Sequence, residues 1–305
     1  MNLLIDYNKS ISIVIPTHNR YDKLRLLKSI EKLSYHLVSE VIVVDDSTDK
    51  VELADIGNIK INHICLNRRI FISKAKNIGW KTAKSEYVYF IDDDNVLTDH
   101  SIKPLIVIME THPEIGALMP AVLYKNNPEL VWVYSTPLSP KRWSFALLGR
   151  NRPRDPTMEN KLLETDALPN ASLVRSEVLQ KTGGFNETLV VNSSAEFCRR
   201  VKLLGWRVYS CTLAFILHDV ELPGRIGWWA VHGVKDLERV RYEVSDWFKL
   251  MKILHPDDKY FKIKAVARSS GFIIPNAAAY MMKGGAKRSL LLSSQLIGLF
   301  NGLRS

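Results

Sequence analysis

The chain has 305 residues, 46% of them hydrophobic and 24% charged, enough apolar material for one large domain or a domain with an appendage. Its net charge of +10 favours anionic partners such as nucleotide phosphates or an acidic membrane face, but no basic-aromatic motif supports nucleic-acid binding. Three cysteines, Cys65, Cys198 and Cys211, without a CxxC pair argue against a disulfide framework or a zinc cage and suit a reducing compartment, and neither a secretory leader nor a bilayer-spanning helix is expected.

Taken in chain order, "ISIVIP" (11–16) is a short β-branched run and is expected to be a strand. "YDKLRLLKSIEKL" (21–33) repeats Leu24, Leu27, Ile30 and Leu33 at helical spacing. "VIVV" (41–44) and "INHICL" (61–66) are further strands. "SKAKNIGWKTAK" (73–84) predicts a helix capped by Ser73, with Ala75, Ile78, Gly79 and Ala83 on one face. "EYVYFI" (86–91) is again a strand. Unalternating apolar strands separated by amphipathic helices predict a mainly parallel sheet covered on both faces. Further on, "KNNPEL" and "NRPRDPTMEN" are expected to be loops, and 171–187 a strand, a short helix and a glycine turn. Residues 193–209 predict a helix with Phe197, Val201 and Leu204 inward, stopped near Gly205, then a strand. From 223 onward the pattern is helical and aromatic, so the domain boundary is set between 222 and 223.

Ligands of parallel sheets sit outside the carboxyl ends of the strands. Here "ISIVIP" ends in Thr17-His18-Asn19, "VIVV" in Asp45-Asp46, and "YVYFI" in Asp92-Asp93-Asp94. Each cluster alone suits a turn or a helix cap. Three clusters on three strand ends point to a ligand. Carboxylates one residue apart can hold a hard divalent cation, which keeps its remaining positions for water and phosphates.

"SIVIPTHNR", "VIVVDDST", "KAKNIGWKTAKSEYVYFIDDDNVL", "TGGFNETL", "EFCRRVKLLGWRVY" and "ILHDV" stand in one order over residues 11 to about 220. In these pieces the chain resembles glycosyltransferase family 2, most closely its rhamnosyltransferase-like branch. The resemblance implies an α/β GT-A fold, a Rossmann-like, mixed and mainly parallel sheet flanked by helices. It implies an inverting, metal-dependent transferase that moves a sugar from a UDP-, GDP- or dTDP-sugar to an acceptor hydroxyl, with Mg²⁺ or Mn²⁺ as cofactor. Pro16, Thr17 and Asn19 would flank the nucleotide, Asp45 would bond the nucleobase with Asp46 beside it, and Lys76 would stand near the nucleotide. Asp92 and Asp94 would form the DxD metal motif, with Asp93 between them also at the nucleotide sugar, and His218 would complete the metal site.

One departure concerns the base. The family usually carries Glu-Asp before the "FC.R" helix, whereas this chain has Ser193-Ser194-Ala195-Glu196. Two readings of Glu196 stay open: the base that takes the acceptor proton, or one half of a Ser193-x-x-Glu196 capping box. Asp166 is a second candidate base.

Residues 272–305 are apolar with a basic cluster, Lys283, Lys287 and Arg288, and "GWWAVHG" (227–233) adds two neighbouring tryptophans. Together they read as a C-terminal helical extension that lies on an anionic membrane surface, or packs on the catalytic domain or in a homodimer. The expected setting is cytoplasmic, peripheral on the inner face of the membrane, with a lipid-linked or glycan acceptor. Two other functions compete: a transferase-like protein that binds nucleotide sugar without efficient catalysis, and a haloacid dehalogenase-type phosphohydrolase with Asp92 as nucleophile.

Overall fold

A computed structural model describes residues 10–19, 23–33, 37–48, 53, 55, 57, 59–139, 144–220, 237–283 and 285–305. They fall into two compact units, one drawn from 10–139, 144–185 and 197–220, the other from 186–196, 237–283 and 285–305. The tryptophan pair at 228–229 and the side chains of Lys283 and Lys287 lie outside the described residues.

The first unit opens with β1 (Ile11–Thr17), α1 (Lys23–Lys32), β2 (Val38–Asp45), β3 (Ile61–Cys65), α2 (Phe71–Thr82) and β4 (Tyr87–Ile91). β1 pairs in parallel with β2 and β4, and β2 with β3, as the unalternating runs predict. All seven residues of β1 and all five of β4 are buried, which is why neither alternates. β5 (Asn95–Val96), α3 (Lys103–Thr111), β6 (Ile115–Tyr124) and β7 (Asn127–Val133) follow. Then come β8 (Leu138–Ser139), β9 (Ser144–Phe145), β10 (Arg152–Pro153), β11 (Leu162–Glu164), β12 (Ala171–Arg175), α4 (Ser176–Thr182), α5 (Ser193–Leu203) and β13 (Arg207–His218). The sheet runs β10-β7-β6-β12-β4-β1-β2-β3, and β13 lies parallel beside β6. β12 is antiparallel to both β4 and β6, so the sheet is mixed and mainly parallel in its first half. α5 begins in the second unit and enters the first at Phe197.

Several local expectations change. α2 starts at Phe71, two residues before Ser73, and its cap is supplied from elsewhere: Asp46 Oδ2 accepts the N–H groups of Ile70 and Phe71 at 2.8 and 2.9 Å. Ser73 is instead buried inside the first turn. Gly79 belongs on the packed face as expected, because a Cβ there would stand 2.2 Å from Val14 Cγ1 and push α2 off β1. Phe197 and Val201 face inward, but Leu204 is 50% exposed, since the helix ends at Leu203 and the chain turns away at Gly205. "KNNPEL" is not all loop: Asn127 opens β7, and Pro128 sits in its exposed first residues, where a missing N–H costs little.

The second unit contains α6 (Leu237–Leu254), α7 (Phe261–Lys283) and α8 (Ala286–Arg304), with segment 186–196. Val244, Phe248, Leu250 and Met251 bury one face of α6. α8 approaches α6 closely at Gly298, where a Cβ would meet the Arg241 carbonyl oxygen at 2.4 Å. α7 and α8 are less well covered: Ile263, Ile274, Met281, Met282, Leu290 and Phe300 are each more than half exposed. None of the described helices is long and apolar enough to cross a membrane.

Candidate active site

The parallel pairing brings the ends of β1 and β2 side by side, with Thr17 in register with Asp45, and β4 lies on the other side of β1. The three acids after β4 then diverge. Asp93 turns inward and accepts a hydrogen bond from Thr17 Oγ1 at 2.7 Å. Asp92 faces Lys76 on α2, Nζ to Oδ1 3.6 Å, and the ammonium is almost fully enclosed. Asp94 faces the opposite way, its Oδ2 3.4 Å from His218 Nε2 at the end of β13. A different group therefore stands beside each carboxylate, and the Lys76 ammonium offsets part of the repulsion among three adjacent acids.

Asp94 and His218 are held together by backbone as well. β13 pairs with β5 through His218 and Asn95, and the Asp219 N–H donates to the Asp94 carbonyl at 2.7 Å. Asn95 Nδ2 donates to the Asp92 carbonyl and to Asp94 Oδ1 at 3.0 and 3.2 Å, while Asn170 Nδ2 donates to Asn95 Oδ1 at 3.2 Å. The edge of Trp132 packs against the His218 ring, 5.0 Å between centroids. His218 Nδ1 is buried without a hydrogen-bond partner among the described residues. Sequence reasoning missed this scaffold. Asn95 and Asp219 directly follow the two motifs, so adjacency alone was the available signal, and Asn170 and Trp132 left none.

Asp219 adds a further element. Burial raises its carboxyl, but hydrogen bonds from Lys125, at 2.8 Å, and from Arg25 outweigh burial and hold it below the usual carboxylate range. The two cations thus meet the carboxylate that directly follows His218.

Asp45 and Asp46 play different parts. Asp46 Oδ2 caps α2, and Asp46 Oδ1 pairs with His18 Nδ1 at 2.7 Å. Its oxygens are committed to architecture. Asp45 Oδ1 accepts the Ser47 N–H at 3.0 Å, and Oδ2 lies 3.3 Å from His63 Nε2, itself 3.3 Å from Cys65 Sγ. Pro16 is buried in β1, and Asn19 is exposed in a left-handed turn, its N–H donated to Ser47 Oγ at 2.7 Å.

The two candidate bases separate as well. Asp166 is engaged on both oxygens, by Lys202 Nζ at 2.6 Å and the Leu138 N–H at 2.7 Å. Glu196 is 4% exposed in the first turn of α5 and belongs to the second unit. Ser193 is already helical, and the Asn192 carbonyl accepts from the N–H groups of Ala195 and Glu196 at 3.0 and 3.4 Å. Ser193 is therefore not the N-cap that the capping-box alternative requires.

The donor set suits a hard or borderline cation. Asp94 and His218 stand close enough to share one, while Asp92 ends the same strand but faces Lys76. Among the described residues no group of three or more His, Cys, Asp or Glu side chains is placed to hold a metal ion. A cation that keeps water and phosphate ligands does not need one.

The family model described as "Glycosyl transferase family 2" matches residues 12–182. The chain belongs to glycosyl transferase family 2. A phosphohydrolase built on Asp92 is set aside by this membership, because the match begins at β1, well before Asp92. The chain is 26% identical over 183 residues to an uncharacterized glycosyltransferase of Haemophilus influenzae, covering 59% of this chain and 57% of that one. It is 30% identical over 105 residues to poly(ribitol-phosphate) beta-N-acetylglucosaminyltransferase TarP of Staphylococcus aureus, covering 32% of each. The chain thus spans just over half the length of the first of these relatives and a third of the second. Among solved structures, GalNAc-T7 with UDP, GalNAc and Mn²⁺ superimposes with a TM-score of 0.58 at 16% identity, over 87% of this chain and 59% of that one. Mannosyltransferase PcManGT from Pyrobaculum calidifontis, in complex with GDP-Man and Mn²⁺, gives 0.53 at 14% identity, over 99% and 90%. These likenesses establish the GT-A fold.

Proposed function

We propose that this family 2 member, of the rhamnosyltransferase-like branch, is an inverting glycosyltransferase that moves a sugar from a nucleoside diphosphate to an acceptor hydroxyl, with Mg²⁺ or Mn²⁺ bound. The carrying observation is the Asp94–His218 pair, 3.4 Å apart at the ends of two different strands, beside an Asp92 that faces Lys76 instead. Asp94, His218 and Asp92 would hold the cation, which when bound offsets charge on the leaving diphosphate. Lys76 stands ready for the same phosphates. Asp45, with Pro16, Thr17 and Asn19 about it, receives the nucleobase, and Asp93 keeps Thr17 in place. Glu196 takes the acceptor proton as the acceptor oxygen bonds to the anomeric carbon and the bond to the diphosphate breaks. Asp166, held on both oxygens by Lys202 and the Leu138 N–H, is the second candidate base.

Support for the donor class comes from the UDP, GDP-Man and Mn²⁺ in the structures of similar fold. TarP, named for a poly(ribitol-phosphate) acceptor, supports an anionic glycan acceptor, and the chain's net charge of +10 suits one. Calorimetry with a panel of UDP-, GDP- and dTDP-sugars, with and without Mn²⁺, tests the donor. One of them binding only with the cation is the expected result, and binding of none overturns the assignment. An NMR reading of the product anomer tests inversion.

The second unit is assigned to the cytoplasmic face of a membrane, where a lipid-linked acceptor would be met. Met281 and Met282, 79% and 76% exposed, lead the apolar face it would insert. The full chain should sediment with anionic vesicles and less with neutral ones, and M281D/M282D should stay in the supernatant. Equal sedimentation of the variant refutes membrane contact through this face, and a concentration-dependent dimer that the variant abolishes would assign the face to a second copy.

A further inference from the structure

Asp246, on α6, is completely buried, and a buried carboxylate persists only where donors surround it. Its donors come from an unexpected place. Oδ2 accepts the backbone N–H groups of Val190 and Val191, at 2.6 and 2.9 Å, and Oδ1 pairs with Lys249 at 3.1 Å. Lys249 Nζ also donates to the Thr188 carbonyl at 3.0 Å. Two side chains on one turn of α6 therefore grip both the N–H and the C=O groups of residues 188–191. This segment has little internal structure of its own. Asn186 Oδ1 accepts from the N–H and hydroxyl of Thr188, at 3.0 and 2.8 Å, and Leu189 is its buried anchor. It leads through Asn192, at φ +64°, straight into the first turn of α5, where Glu196 lies.

We infer that Asp246, assisted by Lys249, is a positioning residue for catalysis: it fixes segment 186–192 and thereby sets where Glu196 presents its carboxylate to the acceptor. The inference rests on the reading of Glu196 as the base. Glu196 sits on the first turn of a helix whose approach is tethered to α6. A charge-assisted grip on two consecutive amides is directional, and it holds the approach to α5 more tightly than apolar packing would.

The test uses the full chain and the nucleotide sugar that binds in the calorimetric panel, with release of the nucleoside diphosphate as the rate. E196Q should lower the rate by roughly 10²–10⁴-fold. D246N should lower kcat by roughly 10- to 10²-fold, the scale of a displaced reacting group. Its donor affinity should stay at the wild-type value, because Asp246 bonds Val190, Val191 and Lys249, none of which is assigned to the donor. Amide hydrogen exchange at Val190 and Val191 should quicken in D246N. D246N should add nothing to E196Q, since both act through one carboxylate. K249M, at a partly exposed position, should show the same pattern more weakly, and it decides the matter if D246N melts below the assay temperature. A wild-type rate in E196Q overturns the base reading and this inference with it. A slow E196Q beside a D246N of wild-type rate, or losses that multiply in the double variant, overturns this inference alone.

Discussion

Two acidic runs end neighbouring parts of the same sheet, Asp45-Asp46 after β2 and Asp92-Asp93-Asp94 after β4, and they are put to different uses. In the first run Asp46 is consumed by structure. It caps α2 through Ile70 and Phe71 and holds His18. In the second run the middle acid accepts from Thr17, while the outer two face Lys76 and His218. Side-chain exposure follows the same division: 5% for Asp46 against 30% for Asp92 and 19% for Asp94. An acid at a strand end is thus not a ligand site by position.

This contrast can be broken by exchanging the effects of substitution. D94N should lower Mn²⁺-supported donor affinity by at least the roughly 10–100-fold typical of disturbed metal sites. Its melting temperature without ligand should be unchanged. Calorimetry and a thermal melt read both, and full affinity in D94N would remove Asp94 from the site. D46A should do the reverse. It leaves two half-buried N–H groups and His18 without their carboxylate, a loss of about 1–2 kcal/mol. The melting temperature should fall by several degrees while the cation dependence of donor binding stays intact. A D46A protein that melts normally but no longer binds donor would make Asp46 a ligand contact after all.

The smallest effect sharpens the boundary of the site. Asp219 is held below its ordinary value in the folded chain by Lys125 and Arg25. A depressed folded value means stability that is present above the unfolded carboxyl value, about 3.9, and lost as pH falls through the folded one. D219N should therefore flatten the acid side of the stability curve below about pH 4 and change little at neutral pH. Urea melts across that range would show it, and an unchanged acid limb in D219N would mean that the two cations do not hold the carboxylate in solution.

Much of the first unit could be read from local pattern. Unalternating β-branched runs at 11–16, 41–44 and 87–91 announced buried strands, and the intervening helical periods announced parallel pairing. The positions of the acids at strand ends follow from the same pattern, and the six motifs in order indicated the family. These features depend on neighbours within a few residues, and a sequence displays them directly.

The division of labour among the acids depends on partners far along the chain, and only the tertiary structure decided it. Asp46 meets an amide at residue 70, Asp94 meets His218, and Asp246 meets Val190. For the same reason the helix cap was misplaced at Ser73: local propensity sees a serine before a helical period, not a carboxylate arriving from another strand. The grouping of 186–196 with the C-terminal helices was equally invisible, because nothing in that short polar stretch names α6 as its support. Periodicity is local and survives in one dimension. Hydrogen-bond partnership is a matter of distance in space, and the fold alone sets that distance.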